Sequence, residues 1–279
     1  MSENSTIEWT HHTFNSHWGC HEVSPGCDNC YARTLGHRFG TTWGIDTPRR
    51  EFGDKHWAEP LKWDRKAAAA GVRHRVFSNS MSDLFDKNAP AGVRERWFEL
   101  TKATPHLDWL ALTKRIGNVP RMLPADWGAG YRNVWIGISV VNQEEADRDV
   151  PKLLAVPTRI PFLSMEPLLG PVNLRDEWFW PYGVGGPYGL HWIIVGGESG
   201  HNSRPMNPQW VRDIRDQCAA AGTAFIFKQS GEFASVSEVE GPGDHFTFPD
   251  GETVRRVGKK AAGRLLDGVQ HDGYPEVTR

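Results

Sequence analysis

Three of the chain's four cysteines fall within eleven residues. Cys20, Cys27 and Cys30 lie in the stretch Trp18-Gly-Cys-His-Glu-Val-Ser-Pro-Gly-Cys-Asp-Asn-Cys-Tyr31, whereas Cys218 lies far away in a segment that reads as a helix. Gly19, Pro25 and Gly26 bend the chain between the thiols, so the stretch reads as a loop folded around a soft metal centre. Thiolates select zinc, iron–sulfur clusters or copper(I) over hard cations. A closed structural site has four protein ligands, and three leave a position open. Three cysteines on a [4Fe–4S] cubane leave one iron for a small molecule. A zinc knuckle completed by His17, His21 or His37 uses the same loop, and thiols packed as small hydrophobes are a third reading. A disulfide would leave one member of the trio over.

The elements that must position this loop alternate in type. A short first strand is expected at Ile7–Thr10 and a helix at Tyr31–Phe39, followed by an irregular stretch over 40–70 that ends in a helix from Trp63 to Ala70. Strands are then expected at Arg73–Phe77, Leu107–Leu112, Val134–Ile138, Arg159–Leu163, His191–Val195 and Ala224–Phe227. Helices are expected at 91–103, 143–154 and 208–221. Strands alternating with helices imply βαβ units and a parallel sheet, and short apolar runs fit strands buried on both faces. About seven strands suffice for an α/β (βα) barrel or partial barrel, with an open doubly wound sheet as the alternative. Both architectures place a site at the carboxyl ends of the strands, where Ser78–Phe85, Thr113–Arg115, Ser139–Asn142, Ser164–Pro167, Gly196–Gly200 and Lys228–Gly231 fall. The expected division is a barrel domain over 1–231, including the loop at 18–31, and a C-terminal extension over 232–279 packed on it. The Gly/Pro/aromatic stretch 171–190 reads as a loop, either a lid or a plain insertion.

A chain of 279 residues is long enough for one large α/β domain. The net charge of −2 announces no global field for nucleic acid, although the basic pairs Arg49-Arg50, Arg255-Arg256 and Lys259-Lys260 are local. No apolar run reaches membrane-spanning length, and the N-terminal residues lack the pattern of a secretory signal. Four cysteines without such a signal point to a reducing cytoplasm. Thirteen tryptophans suit either core packing or a pocket for a flat ligand.

Taken as a set, the motifs resemble the phage three-cysteine-motif proteins, a phage and bacterial family regarded as relatives of the radical S-adenosylmethionine (SAM) enzymes. The resemblance rests on Trp-Gly-Cys-x6-Cys-x2-Cys-Tyr-Ala at 18–32, Ser-Met-Ser-Asp-Leu-Phe at 80–85, Leu-Thr-Lys-Arg at 112–115 and Ser-Met-Glu-Pro-Leu-Leu-Gly-Pro at 164–171. Val-Gly-Gly-Glu-Ser-Gly at 195–200, Arg-Pro-Met at 204–206, Phe-Lys-Gln at 227–229 and Lys-Lys-Ala-Ala-Gly-Arg-Leu-Leu-Asp-Gly at 259–268 complete it. Radical SAM enzymes ordinarily space the cysteines C-x3-C-x2-C with an aromatic residue before the last; here six residues fill the first gap and Asn29 takes that position. Their Gly-Gly-Glu motif follows an early strand, whereas Gly196-Gly197-Glu198 follows a late one.

The resemblance implies that Cys20, Cys27 and Cys30 hold a [4Fe–4S] cluster that reductively cleaves SAM to start radical chemistry; it does not name the substrate, for which a nucleotide or a nucleic-acid base is the candidate. The host cytoplasm would be the setting for a phage-encoded chain. Glu166, Glu198 and Lys114 are the candidate catalytic residues. Gly196, Gly197, Glu198, Asn79, Asp83 and Ser139 are candidates for binding SAM, the two glycines by permitting close backbone approach. Asp83 could equally cap a helix. Lys114, Arg115, Lys228 and Arg204 would make the rim cationic, suited to carboxylate or phosphate. The other reading is a zinc-stabilised protein that binds nucleic acid or a protein partner without catalysis, with aromatic stacking and basic pairs carrying the contact.

Overall fold

The computed structural model describes residues 2–41, 43–180 and 189–276. It resolves into two compact units, the first made of residues up to Ser24, Cys30–Ile138 and Ala155–Pro161, the second of Pro25–Asn29, Ser139–Leu154 and the chain from Phe162 onward.

In chain order the elements begin with β1 (Ser2–Glu3), β2 (His12–Phe14), α1 (Tyr31–Arg38), α2 (Asp54–Trp57), α3 (Glu59–Ala70) and β3 (His74–Ser78). They continue through α4 (Val93–Ala103), β4 (Leu107–Thr113) and β5 (Val134–Ser139). β1 runs antiparallel to β2, and β2, β3, β4 and β5 are parallel, each beside the next. The register sets Phe14 beside Ser78 and Ser78 beside Ala111, with Thr113 opposite Ile138. The carboxyl ends of β2, β3 and β4 therefore share one edge, and the cysteine loop, the Ser-Met-Ser-Asp segment and the Thr-Lys-Arg segment leave from it. Many of the tryptophans make the core here rather than a pocket. Trp109, wholly buried, takes Phe14 and Trp97 edge-on at 5.6 and 5.7 Å between ring centres, a geometry that aromatic quadrupoles favour.

The second unit continues with α5 (Gln143–Leu154), β6 (Phe162–Met165), α6 (Asp176–Phe179), β7 (Trp192–Gly196), α7 (Pro208–Ala221) and β8 (Ala224–Gln229). β6, β7 and β8 are parallel, with Met165 beside Val195 and Val195 beside Phe227. Local chemistry sets the helix ends. At α5 the Glu145 carboxylate accepts from Val141 N (3.1 Å) while Asn142 Oδ1 accepts from Glu145 N (3.0 Å), a reciprocal cap. At α7 the Asn207 side chain caps Gln209 N, Pro208 opens the first turn, and Gly222 closes the helix at φ 69°. Strands alternate with helices and pair in sequence order, which is the α/β (βα) partial-barrel class expected from the sequence.

Three local expectations change. Ile7–Thr10 is a turn, closed by Thr10 N on Ile7 O at 3.2 Å, and the strand follows at β2; Trp9 is used for packing, 4.5 Å from Phe77. The helix expected from Trp63 starts at Glu59, because Pro60 sits in the first turn, where its missing N–H is not needed. Pairing of β6 begins only after Pro161, which has no N–H to donate. Beyond β8 the chain continues in short elements. It forms β9 (Phe233–Ser235), β10 (His245–Thr247), β11 (Thr253–Arg256), α8 (Lys259–Ala262), β12 (Leu265–Leu266) and β13 (Val269–Gln270). β10, β11 and β9 make an antiparallel sheet centred on the buried Val254. Of the stretch 171–190, α6 buries Trp178 and Phe179, and residues 181–188 lie outside the described residues.

Candidate functional site

In the first unit the turn after β3 and the turn after β4 meet at Asp83. Its Oδ1 accepts from Phe85 N (2.9 Å) and from the Thr113 hydroxyl (2.8 Å). Its Oδ2 accepts from Lys114 N (3.0 Å) and Arg115 Nη1 (2.9 Å). Asp83 is thus committed to the protein itself, holding the two turns together and fixing Arg115. The other end of that guanidinium reaches the cysteine loop: Arg115 Nη2 donates to His21 O at 3.0 Å and to Cys20 Sγ at 3.4 Å. The Arg115 side chain is 7% exposed, so its charge is turned toward the protein's own groups rather than toward solvent.

Burial pushes the Cys20 thiol up to about 11, against the pull of the Arg115 charge and hydrogen bond. Burial also works against the Arg115 charge, but Asp83, the Cys20 sulfur and Asp86 outweigh it and raise its pKa. Asp86, wholly buried, takes Arg49 through Nε (3.2 Å) and Nη2 (2.8 Å). Arg49 Nη2 also lies 3.2 Å from His21 Nδ1, so two guanidiniums flank that imidazole. Of the other histidines near the cysteines, His17 is buried, is pushed down to about 4 by that burial, and leaves Nε2 without a hydrogen-bond partner among the described residues. His37 is exposed on α1.

Asn79 is buried with its amide donating to Ser16 Oγ and Ser82 Oγ, both at 2.9 Å. Its φ of 63° lies in the left-handed region that Asn tolerates better than most residues. Lys114 is half-buried, with its backbone N–H on Asp83. Cys30 stands at the N-cap of α1.

The second unit holds Cys27, buried at the end of the turn Pro25–Cys27, followed by Asp28 and Asn29. This segment is tied to the loop after β7. Arg204 Nη1 donates to Asp28 Oδ2 at 2.9 Å and Nη2 to Pro25 O at 3.0 Å. Asn29 Nδ2 donates to Glu198 Oε2 at 3.0 Å and to Asn202 O at 2.9 Å. Burial pushes the Glu198 carboxyl up, but the hydrogen bonds from the Arg204 side chain and backbone and from Asn29 outweigh it and hold the group below its ordinary range. Gly197 does permit close approach, but of backbone: a Cβ there would stand 2.1 Å from Ser230 O. Gly196 lies against the Glu166 side chain, and Glu166 is paired with Lys228. Ser139 is buried at the end of β5.

Among the described residues no three His, Cys, Asp or Glu side chains stand together at the spacing of one metal ion. The donor chemistry fits a thiolate-bound group: none of the four cysteines is in a disulfide, and the Cys20 sulfur already accepts a cationic N–H. What the sequence did not disclose is the clamp of Asp28 and Asn29 on Arg204 and Glu198, and the inward turn of Arg115. The signal for the clamp was two polar residues between two cysteines, together with an acid and an arginine six residues apart.

Among solved structures, the chain is similar to spore photoproduct lyase complexed with a dinucleoside spore photoproduct, at 13% identity and a TM-score of 0.43 over 86% of this chain and 66% of that one. A double mutant of that lyase with bound AdoMet and dinucleoside spore photoproduct matches at 12% identity and a TM-score of 0.45, over 88% and 68% of the two chains. No curated protein matches. Among the described residues no helix is long and apolar enough to cross a membrane. Nearly the whole chain, residues 4–275, matches one family model, and the protein belongs to the family described as "Protein of unknown function (DUF5131)".

Proposed function

We propose that this chain is a radical SAM-type iron–sulfur enzyme, of the kind the three-cysteine phage proteins resemble, in which Cys20, Cys27 and Cys30 hold a [4Fe–4S] cluster. The observation that carries the reading is the set of three thiols within eleven residues, outside any disulfide, the first of them hydrogen-bonded by Arg115. When bound, the cluster and SAM would supply one-electron cleavage that starts radical chemistry on the substrate.

The chain's own residues prepare for this. Asp83 orients Arg115 on the sulfur of Cys20. Glu198 and Arg204 hold the segment that carries Cys27. Lys228 neutralises Glu166 at the end of β8, and Lys114 offers a cation suited to a phosphate or carboxylate. A nucleotide or nucleic-acid base is the proposed substrate class, and SAM the proposed small-molecule partner. The test is iron, zinc and acid-labile sulfide content, with a visible spectrum, on protein purified and reconstituted without oxygen. About four irons and four sulfides per chain, with absorbance that bleaches on reduction, is the expected result. One zinc, no sulfide and a colourless protein would overturn it.

A further inference from the structure

We propose that Arg115 raises the reduction potential of the metal centre that Cys20 ligates, by holding a guanidinium N–H on the cysteine sulfur. This rests on the iron–sulfur reading above.

The contact is built in rather than incidental. Arg115 Nη2 lies 3.4 Å from Cys20 Sγ, and the same nitrogen donates to the backbone oxygen of His21. Three further bonds fix where it points. Nη1 is held by Asp83 Oδ2 at 2.9 Å, the Arg115 backbone N–H donates to the Thr113 hydroxyl at 2.9 Å, and that hydroxyl donates to Asp83 in turn. Both side chains of the Arg115–Asp83 pair are nearly buried, at 7% and 6% exposure, so water and salt screen the charge little.

Reduction adds an electron to a cluster and negative charge to its sulfurs. Hydrogen bonds to the sulfurs and nearby positive charge favour the more negative form, and so raise the potential. Asp83 opposes this by compensating part of the guanidinium charge, and Asp86 adds to that compensation at 4.0 Å from Arg115 Nε. The pair therefore works as a setting: the arginine lifts the potential and the aspartates limit the lift.

The experiment is an EPR-monitored redox titration of the full chain, reconstituted without oxygen, comparing the native protein with Arg115→Met, Arg115→Lys and Asp83→Asn at matched iron content. Arg115→Met is expected to shift the midpoint to more negative values. Arg115→Lys, which keeps the charge but loses the fork, should fall between it and the native protein. Asp83→Asn should shift the midpoint the other way. The same midpoint in the native protein and Arg115→Met overturns the inference. If Arg115→Met does not fold, an unchanged midpoint in both Arg115→Lys and Asp83→Asn overturns it equally. A native chain that takes up no iron and sulfide refutes the proposed function itself, and this inference with it, which is a different outcome from an unmoved midpoint.

Discussion

Arg204 grips Glu198 at both carboxylate oxygens, Nε on Oε2 at 2.9 Å and Nη2 on Oε1 at 2.6 Å. The remaining donors of the same guanidinium reach Asp28 and Pro25 O. A bidentate pair at the exit of β7 is thereby the anchor of the segment bearing Cys27, because the fork that grips the acid has its other edge on the loop.

Removing that anchor should loosen Cys27 specifically. Breaking hydrogen bonds to a charged group costs about 1–3 kcal/mol, and about 1.4 kcal/mol is tenfold in a local opening equilibrium. Glu198→Ala is therefore expected to speed alkylation of Cys27 in the metal-free protein by about tenfold or more, with Glu198→Gln intermediate. Mass-spectrometric labelling rates measured residue by residue check this, and an unchanged Cys27 rate in Glu198→Ala would count against the anchor.

Iron content should separate the cysteines into three and one. Cys20→Ala, Cys27→Ala and Cys30→Ala are each expected to lose most of the reconstituted iron and sulfide. Cys218→Ala should keep both, since Cys218 is wholly buried on α7 and burial pushes its thiol up to about 12. Equal iron in all four variants would refute the three-ligand reading.

Gly197→Ala tests how the chain crosses at the end of β7. The added Cβ would meet Ser230 O at 2.1 Å, backbone that cannot move aside cheaply. The expected loss is about 1–3 kcal/mol, the usual range for overpacking. Gly200→Ala meets nothing within 4 Å and suffers only the strain of φ 111°, so its loss should be the smaller. Urea midpoints of the two variants give the comparison.

Stability should fall on mild acidification through the histidines at the start of the sheet. His11 Nδ1 accepts from Arg75 N at 2.8 Å and His12 Nδ1 from Asn4 N at 3.2 Å, so each ring is neutral at that nitrogen. Burial pushes both down from 6.5 to about 4. Between those values the unfolded chain binds more protons than the folded one. The stabilisation is therefore complete above pH 6.5 and is lost as the pH falls toward 4, with a slope of at most about 1.4 kcal/mol per pH unit for each ring. Thermal melts across that window should show the slope, and His12→Asn should reduce it. A flat profile in the native protein would contradict the assignment.

The alternation of apolar runs with polar segments made the parallel strands and the long helices legible: α5 and α7 span the residues expected of them, 143–154 and 208–221. The first strand was not legible, because Ile7–Thr10 has the composition of a strand while the backbone there closes a turn so that Trp9 can pack on Phe77. The cysteine trio was plain from spacing. The partners of Arg115 and Glu198 were not, since a charged residue at a strand end looks the same in sequence whether it faces solvent or another strand's turn. Asp83 shows the same ambiguity: its types of neighbour suggested a cap or a ligand contact, and it is a junction between two turns.

Sequence-ordered pairing of the strands has a consequence for synthesis. Along β2–β5, and again along β6–β8, each new strand pairs with the strand made just before it, so each run can grow as the chain is translated. The segment Pro25–Asn29 does not share this economy. Its contacts reach across 176 residues from Asp28 to Arg204 and 169 from Asn29 to Glu198. Cys27 is thus made well before the residues that secure its segment, and a nascent chain must carry that thiol through the synthesis of the intervening stretch, 176 residues from Asp28 to Arg204, before the clamp can close.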